Sequence, residues 1–250
     1  MSIVVEDYHK IYGETVAVAG ISFSVAPGEI LGFVGPNGAG KTTTLRALAG
    51  IIAPTFGRLF IAGHDVVHEP VAAKAQLAYV PDEPVPFERL TVWEHFRFTA
   101  AAYHLREWRA RGEALLDRLE LTEKRDAPGS ELSRGMKQKL AIGCALLHHP
   151  KALLLDEPLT GLDPFGSRSM KELIRDFAAG GAAVIVSSHQ LSEFQSLFTT
   201  LLMLHRGRII RFGKLEELRN ELSAEGRSET LEELFLRVMK QPERATELQP

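Results

Sequence analysis

Apolar and polar residues alternate loosely through residues 3–5, 16–18 and 21–25, and a Pro27-Gly28 turn leads into an apolar run at 30–34. A period of two predicts β-strands for this N-terminal stretch. Two later runs, 152–155 and 183–186, are apolar at every position and bounded by breakers, the pattern of strands buried on both faces of a parallel sheet. Between these segments the period lengthens. Thr91 followed by Glu94 has capping-box spacing, and Val92, Phe96, Ala100 and Tyr103 recur at helical intervals after it. Leu115, Leu116 and Leu119 mark a second helix and residues 136–147 a third, so the stretch 88–149 reads as a mainly helical insertion between sheet segments. Met170, Leu173, Ile174 and Phe177 share one helix face after Pro164, and residues 202–205 and 208–212 read as a hairpin around Gly207. From Lys214 onward charged helices are expected, with a second capping box at Thr230 and Glu233, before a polar tail from Gln241.

Composition narrows the class. The 250 residues carry 29 Lys+Arg against 32 Asp+Glu, are 45% hydrophobic and contain one Cys, which excludes both a disordered chain and a disulfide framework. The longest run without Asp, Glu, Lys or Arg, 177–192, is interrupted by Gly180-Gly181 and is too short to span a bilayer. The N-terminus lacks a basic region followed by an apolar core, so no secretory leader is expected and a cytosolic chain is the default. A net charge of −3 argues against binding to a phosphate backbone, and any membrane role must come through a partner.

The sharpest local signal is Gly35-Pro36-Asn37-Gly38-Ala39-Gly40-Lys41-Thr42, a G-x-x-x-x-G-K-S/T loop directly after an apolar strand and before the helix-prone segment 43–49. In a chain of this composition roughly 0.007 such matches arise by chance, so a turn that binds nothing is the weaker reading. Glycines let main-chain N–H groups converge on phosphate oxygens, and the helix that follows, starting near Thr43, offers its unsatisfied N–H groups and positive end to the same anion. Lys41 adds a point charge for the outer phosphates, and Thr42 a hydroxyl for Mg²⁺, a hard cation that prefers oxygen. A second element, 152–158, ends a buried strand in Asp156 and Glu157. Beside a phosphate loop, the first carboxylate suits Mg²⁺ and the second suits polarising the attacking water. Neither of the two Asn residues, Asn37 and Asn220, begins a guanine-reading Asn-Lys-x-Asp motif, so adenine is the expected base.

Together with these elements, Leu132-Ser133-Arg134-Gly135-Met136-Lys137-Gln138-Lys139, Gly161-Leu162-Asp163 and Ser187-Ser188-His189 resemble the signature, D-loop and switch-histidine segments of ABC transporter ATP-binding subunits. The resemblance covers nearly the whole chain, from about residue 3 to 240. It implies an α/β fold: a P-loop NTPase core with a parallel sheet, an N-terminal antiparallel β-subdomain and an inserted helical subdomain. The core would comprise 1–87 and 150–213, the helical subdomain 88–149, and the C-terminal helices and tail 214–250. It further implies ATP and Mg²⁺ as cofactors, adenine stacking on Tyr12, and His189 as a sensor of the terminal phosphate. A head-to-tail pair with an identical chain or a second cassette would bring Ser133 and Gly135 of one copy onto the nucleotide held by the other. The partner implied is an integral membrane permease on the cytoplasmic face, with no nucleic acid. Arg134 and Met136 depart from the commonest signature and resemble the subgroup that serves ABC-2-type permeases, usually exporters. At the Q-loop position Asp82 replaces the amide; it can order Mg²⁺ or its water but cannot donate as Gln does.

A rival reading is a soluble ABC-type ATPase acting on ribosomes or nucleic acid, though such proteins generally carry two cassettes or a coiled-coil insertion. A module that binds without hydrolysing is disfavoured by Glu157 and His189. The remaining chemistry-bearing residues read as structural: His64 and His68 lack the Glu of a zinc-protease helix, His148-His149 suits a helix C-terminus, Cys144 fits a core position, and 106–111 reads as a solvated helix face.

Overall fold

The burial pattern decides the architecture. In a computed structural model describing residues 2–194, 196–224 and 233, every position is buried in the strands Ile30–Val34, Ala152–Asp156 and Ala183–Ser188. Strands buried on both faces must lie inside a sheet covered on each side.

In chain order the elements are β1 (Ile3–Tyr12), β2 (Thr15–Val25), β3 (Ile30–Val34), α1 (Lys41–Leu48), β4 (Phe56–Ile61), β5 (His64–Asp65), α2 (Pro70–Ala75), β6 (Leu77–Val80), α3 (Val92–Ala102), α4 (Arg109–Arg118) and α5 (Arg134–Leu147). There follow β7 (Ala152–Asp156), α6 (Pro164–Ala179), β8 (Ala183–Ser188), α7 (Leu191–Phe194), β9 (Thr200–His205), β10 (Arg208–Lys214) and α8 (Leu215–Ala224). One sheet runs β10-β9-β3-β8-β7-β6 and is parallel except at β10; the other, β2-β1-β4-β5, is antiparallel.

Successive side chains of a strand point to opposite faces, and here they feed two cores. Ile30, Val34, Leu153, Leu155, Val184 and Val186 pack with residues of α3–α6. Their neighbours Leu31, Phe33, Leu154, Ile185, Leu202 and Leu204 pack with α1 and the antiparallel sheet. Residues 16–18 and 21–25, which the alternation splits, belong to one strand: register shifts in β1 on either side of Tyr8 let β2 run through Gly20.

The helical insertion between β6 and β7 starts with the expected capping box. Glu94 N–H donates to Thr91 Oγ1 (3.2 Å), and Thr91 N–H donates to Glu94 Oε2 (2.9 Å). Thr91→Ala removes one half of that exchange and is expected to lower stability by about 1 kcal/mol, read as a midpoint shift in urea unfolding. In the 106–111 stretch Arg106, Glu107, Arg109 and Ala110 are exposed, as a solvated face requires, but Trp108 and Arg111 turn inward. Trp108 is buried against Trp93, with ring centroids 4.8 Å apart. Arg111 donates from Nε (3.2 Å) and Nη2 (2.8 Å) to Leu146 O, one of the carbonyls a helix leaves unpaired at its C-terminus. The capping box expected at Thr230 and Glu233 lies outside the described residues.

Candidate functional site

In an open parallel sheet, ligands bind beyond the carboxyl ends of the strands. Four such ends converge here: β3 runs into the 35–42 loop, β7 ends in Asp156 and Glu157, β8 in Ser187 and Ser188 before His189, and β6 two residues before Asp82. They border a cavity of about 400 Å³ lined by Asn37–Thr43 of the loop and α1, by Ala17, and by Asp82, Asp156 and Glu157. A larger hollow, about 590 Å³, opens at the opposite ends of the strands, around Pro27, Lys151 and Ala182. It collects none of the motif residues.

The loop is built to receive an anion. Gly40 caps α1 in the left-handed region (φ 108°), with Ala17 O only 2.8 Å from where a Cβ would stand, so glycine alone fits. Thr44 N–H donates to Gly40 O (2.9 Å), which makes the amides of Lys41, Thr42 and Thr43 the unpaired helix-start donors. Lys41 is 6% exposed, and its ammonium donates to Gly35 O (2.6 Å) and Pro36 O (3.2 Å), curled over the loop. Burial lowers its pKa, opposed by the nearby Glu157 and Asp156.

The carboxylates differ in their surroundings. Asp156 is 1% exposed; its Oδ1 accepts from Ser187 Oγ (2.5 Å), while Oδ2 is buried without a hydrogen-bond partner among the described residues. Asp82 Oδ1 is likewise shielded from solvent and accepts no hydrogen bond among the described residues, with Arg134 Nη2 3.9 Å away. These two carboxylate oxygens, without a hydrogen bond among the described residues, belong to side chains that line one cavity with Thr42, an all-oxygen donor set that fits Mg²⁺. Burial raises the pKa of Asp82, and the Asp156 charge adds to it. Glu157 Oε1 lies 2.9 Å from His189 Nδ1 and 3.9 Å from Lys41 Nζ. Its pKa is raised by burial, with His189 and Lys41 pulling the other way.

Three expected site residues stand apart from this cavity. Tyr12, at the end of β1, is 48% exposed, with Lys10 Nζ 4.8 Å from its ring centroid. Ser133 is exposed at the N-cap of α5, its hydroxyl accepting from Met136 N–H (3.3 Å). Gly135 packs on the D-loop of its own chain: a Cβ there would meet Gly161 O at 2.8 Å. Asp163 caps α6, accepting from Gly166 N–H at 2.7 Å. Two of the three departures from the family pattern lie close together, Arg134 Nη2 being 3.9 Å from Asp82 Oδ1 and also 3.6 Å from Glu83 Oε1. These pairs are half-exposed, so they add little stability but link the start of α5 to the loop after β6. Sequence reading missed Ala17, whose carbonyl roofs Gly40, and the bond from Ser187 to Asp156. Neither has a local signal, since both depend on which strands become neighbours.

Fold and site together define a P-loop nucleotide-binding domain carrying paired acids and a helical insertion. Residues 18–160 match the ABC transporter family. The chain is 33% identical over 239 residues to the ABC-type transporter ATP-binding protein EcsA of Bacillus subtilis, covering 95% of this chain and 96% of that one. It is 39% identical over 211 residues to the Nod factor export ATP-binding protein I of Paraburkholderia xenovorans, covering 82% and 68%. A solved ATP-binding subunit of an ABC transporter superposes with a TM-score of 0.89 at 32% identity, over 95% of this chain and 99% of that one. A nucleotide-free ATP-binding cassette superposes with a TM-score of 0.76 at 25% identity, over 89% and 95%. The chain belongs to the ABC transporter family as an ATP-binding subunit, and the soluble ribosome- or nucleic-acid-directed reading falls away.

Proposed function

We propose that this chain hydrolyses ATP and so powers export through a separate integral membrane permease, to which it attaches on the cytoplasmic face. The observation that carries the reading is the convergence of Lys41, Asp156 and Glu157 on one cavity, with His189 held against the Glu157 carboxylate at 2.9 Å. Loop amides from Gly38 to Thr43 and the Lys41 ammonium bind the phosphates. Glu157 takes the proton of the attacking water, and the upward shift of its pKa makes it a better match to a proton acceptor at neutral pH. His189 keeps that carboxylate turned to the site and reads the terminal phosphate. Thr42, Asp156 and Asp82 would hold Mg²⁺, which supplies positive charge to the outer phosphate oxygens.

A second cassette, identical or different, seals the nucleotide in this reading. Ser133 caps α5 and Gly135 lies in its first turn, where the helix's positive end would meet an anion from the partner copy, in keeping with their standing apart from their own cavity. Tyr12 stacks the adenine. The partition into a core (1–87 and 150–213), a helical subdomain (88–149) and a C-terminal part (214–250) belongs to the same proposal. Export is favoured because relatives include proteins named for Nod factor export and for daunorubicin resistance. Among the described residues no helix is long and apolar enough to cross a membrane. Purification of the tagged chain from membranes in mild detergent is expected to bring down a multispanning protein. Recovery with ribosomes and without such a protein overturns the proposal.

A further inference from the structure

We propose that Ser187 is a positioning residue that decides which oxygen of Asp156 is offered to the metal and holds Glu157 in its working orientation. The inference rests on the ATPase reading above and adds a residue to it. Parallel pairing of β7 and β8 sets Asp156 opposite Ser187, and both side chains are closed off from solvent. A hydroxyl has one proton to give. Ser187 Oγ gives it to Asp156 Oδ1 at 2.5 Å, which leaves Oδ2 as the oxygen without a partner among the described residues. A buried ionised oxygen is costly until something satisfies it, so the arrangement aims Oδ2 at a cation or its water.

The same Oγ accepts from Glu157 N–H at 3.2 Å, and Ser187 O lies 3.3 Å from that N–H. Glu157 sits at φ 47°, a left-handed conformation that a residue with a side chain seldom adopts without support. One side chain therefore restrains the metal carboxylate through its proton and the base through its lone pair. Ala in its place keeps the strand, its burial and the main-chain carbonyl, and loses only the hydroxyl. Asp156 then loses the donor that fixes Oδ1, and of the neighbouring hydroxyls that of Tyr79 remains beside its carboxylate. The loop amides and Lys41, which hold the phosphates, are untouched.

Mn²⁺ titrated by electron paramagnetic resonance into the full chain at saturating ADP separates these effects. Ser187→Ala is expected to raise the Mn²⁺ dissociation constant about 10- to 100-fold, the range for losing a group that orients a metal ligand. ADP affinity in EDTA is expected to stay at the wild-type value. Ser187→Cys, with a weaker donor at the same point, is expected to fall between. A Ser187→Ala chain that holds Mn²⁺ as tightly as wild type overturns the proposal. Loss of ADP affinity in EDTA by the same factor also overturns it, because that pattern reports a general structural role. If wild type itself binds no ADP, the ATPase reading fails instead.

Discussion

Glu157→Gln is expected to bind ATP as tightly as wild type while hydrolysing it about 100- to 10,000-fold more slowly, the usual share of a positioned general base. Gln has the same shape, and its amide oxygen can keep the contact with His189 Nδ1 that the carboxylate makes at 2.9 Å. What it lacks is a lone pair basic enough to take a proton from water. Binding is expected to survive because the proposed reading gives the phosphates to the loop amides and Lys41, and the negative Glu157 carboxylate adds no attraction for them. Phosphate release and the affinity for a fluorescent ATP analogue, measured on the same preparation, check both halves. Hydrolysis at the wild-type rate would show that another group takes the proton.

Lys41→Met is expected to weaken ATP binding by about 2–4 kcal/mol, or roughly 30- to 1,000-fold, the effect of deleting one partner of a desolvated charge pair. Lys41 is 6% exposed, so its ammonium works in a medium that screens poorly. It also satisfies the Gly35 and Pro36 carbonyls, and Met leaves both without that donor. The loop then loses its charge and its internal tie together. Isothermal calorimetry with ATP measures the loss, and thermal melting without nucleotide distinguishes it from unfolding. Unchanged affinity would mean that the main-chain amides alone hold the triphosphate.

The part of the site that could be read in advance is the part built from neighbours in sequence. A phosphate loop needs its glycines, Lys41 and Thr42 at fixed offsets because consecutive amides make the cradle, and the Thr91–Glu94 box is equally local. The central strands were legible because continuous apolar runs have few homes other than a doubly covered sheet. By contrast β4, β5 and the short helix α2 carry no clean period, and β6 is only four residues long. In the 106–111 stretch Arg106 and Arg109 are exposed as the sequence suggests, and only Arg111 and Trp108 depart, because α5 supplies the Leu146 carbonyl to Arg111 and α3 supplies Trp93 to Trp108.

By itself the sequence determined that the chain carries a triphosphate cradle, a pair of acids at a strand end and a signature segment of one family, because each is a short-range pattern. Tertiary structure decided how they meet. Placing β8 between β3 and β7 sets His189 against Glu157 and Ser187 against Asp156, and folding the start of α5 over the β6 loop sets Arg134 beside Asp82. The physical reason is that hydrogen bonds and ion pairs act over a few ångströms of space, whatever the distance along the chain, so strand order and helix packing choose the partners.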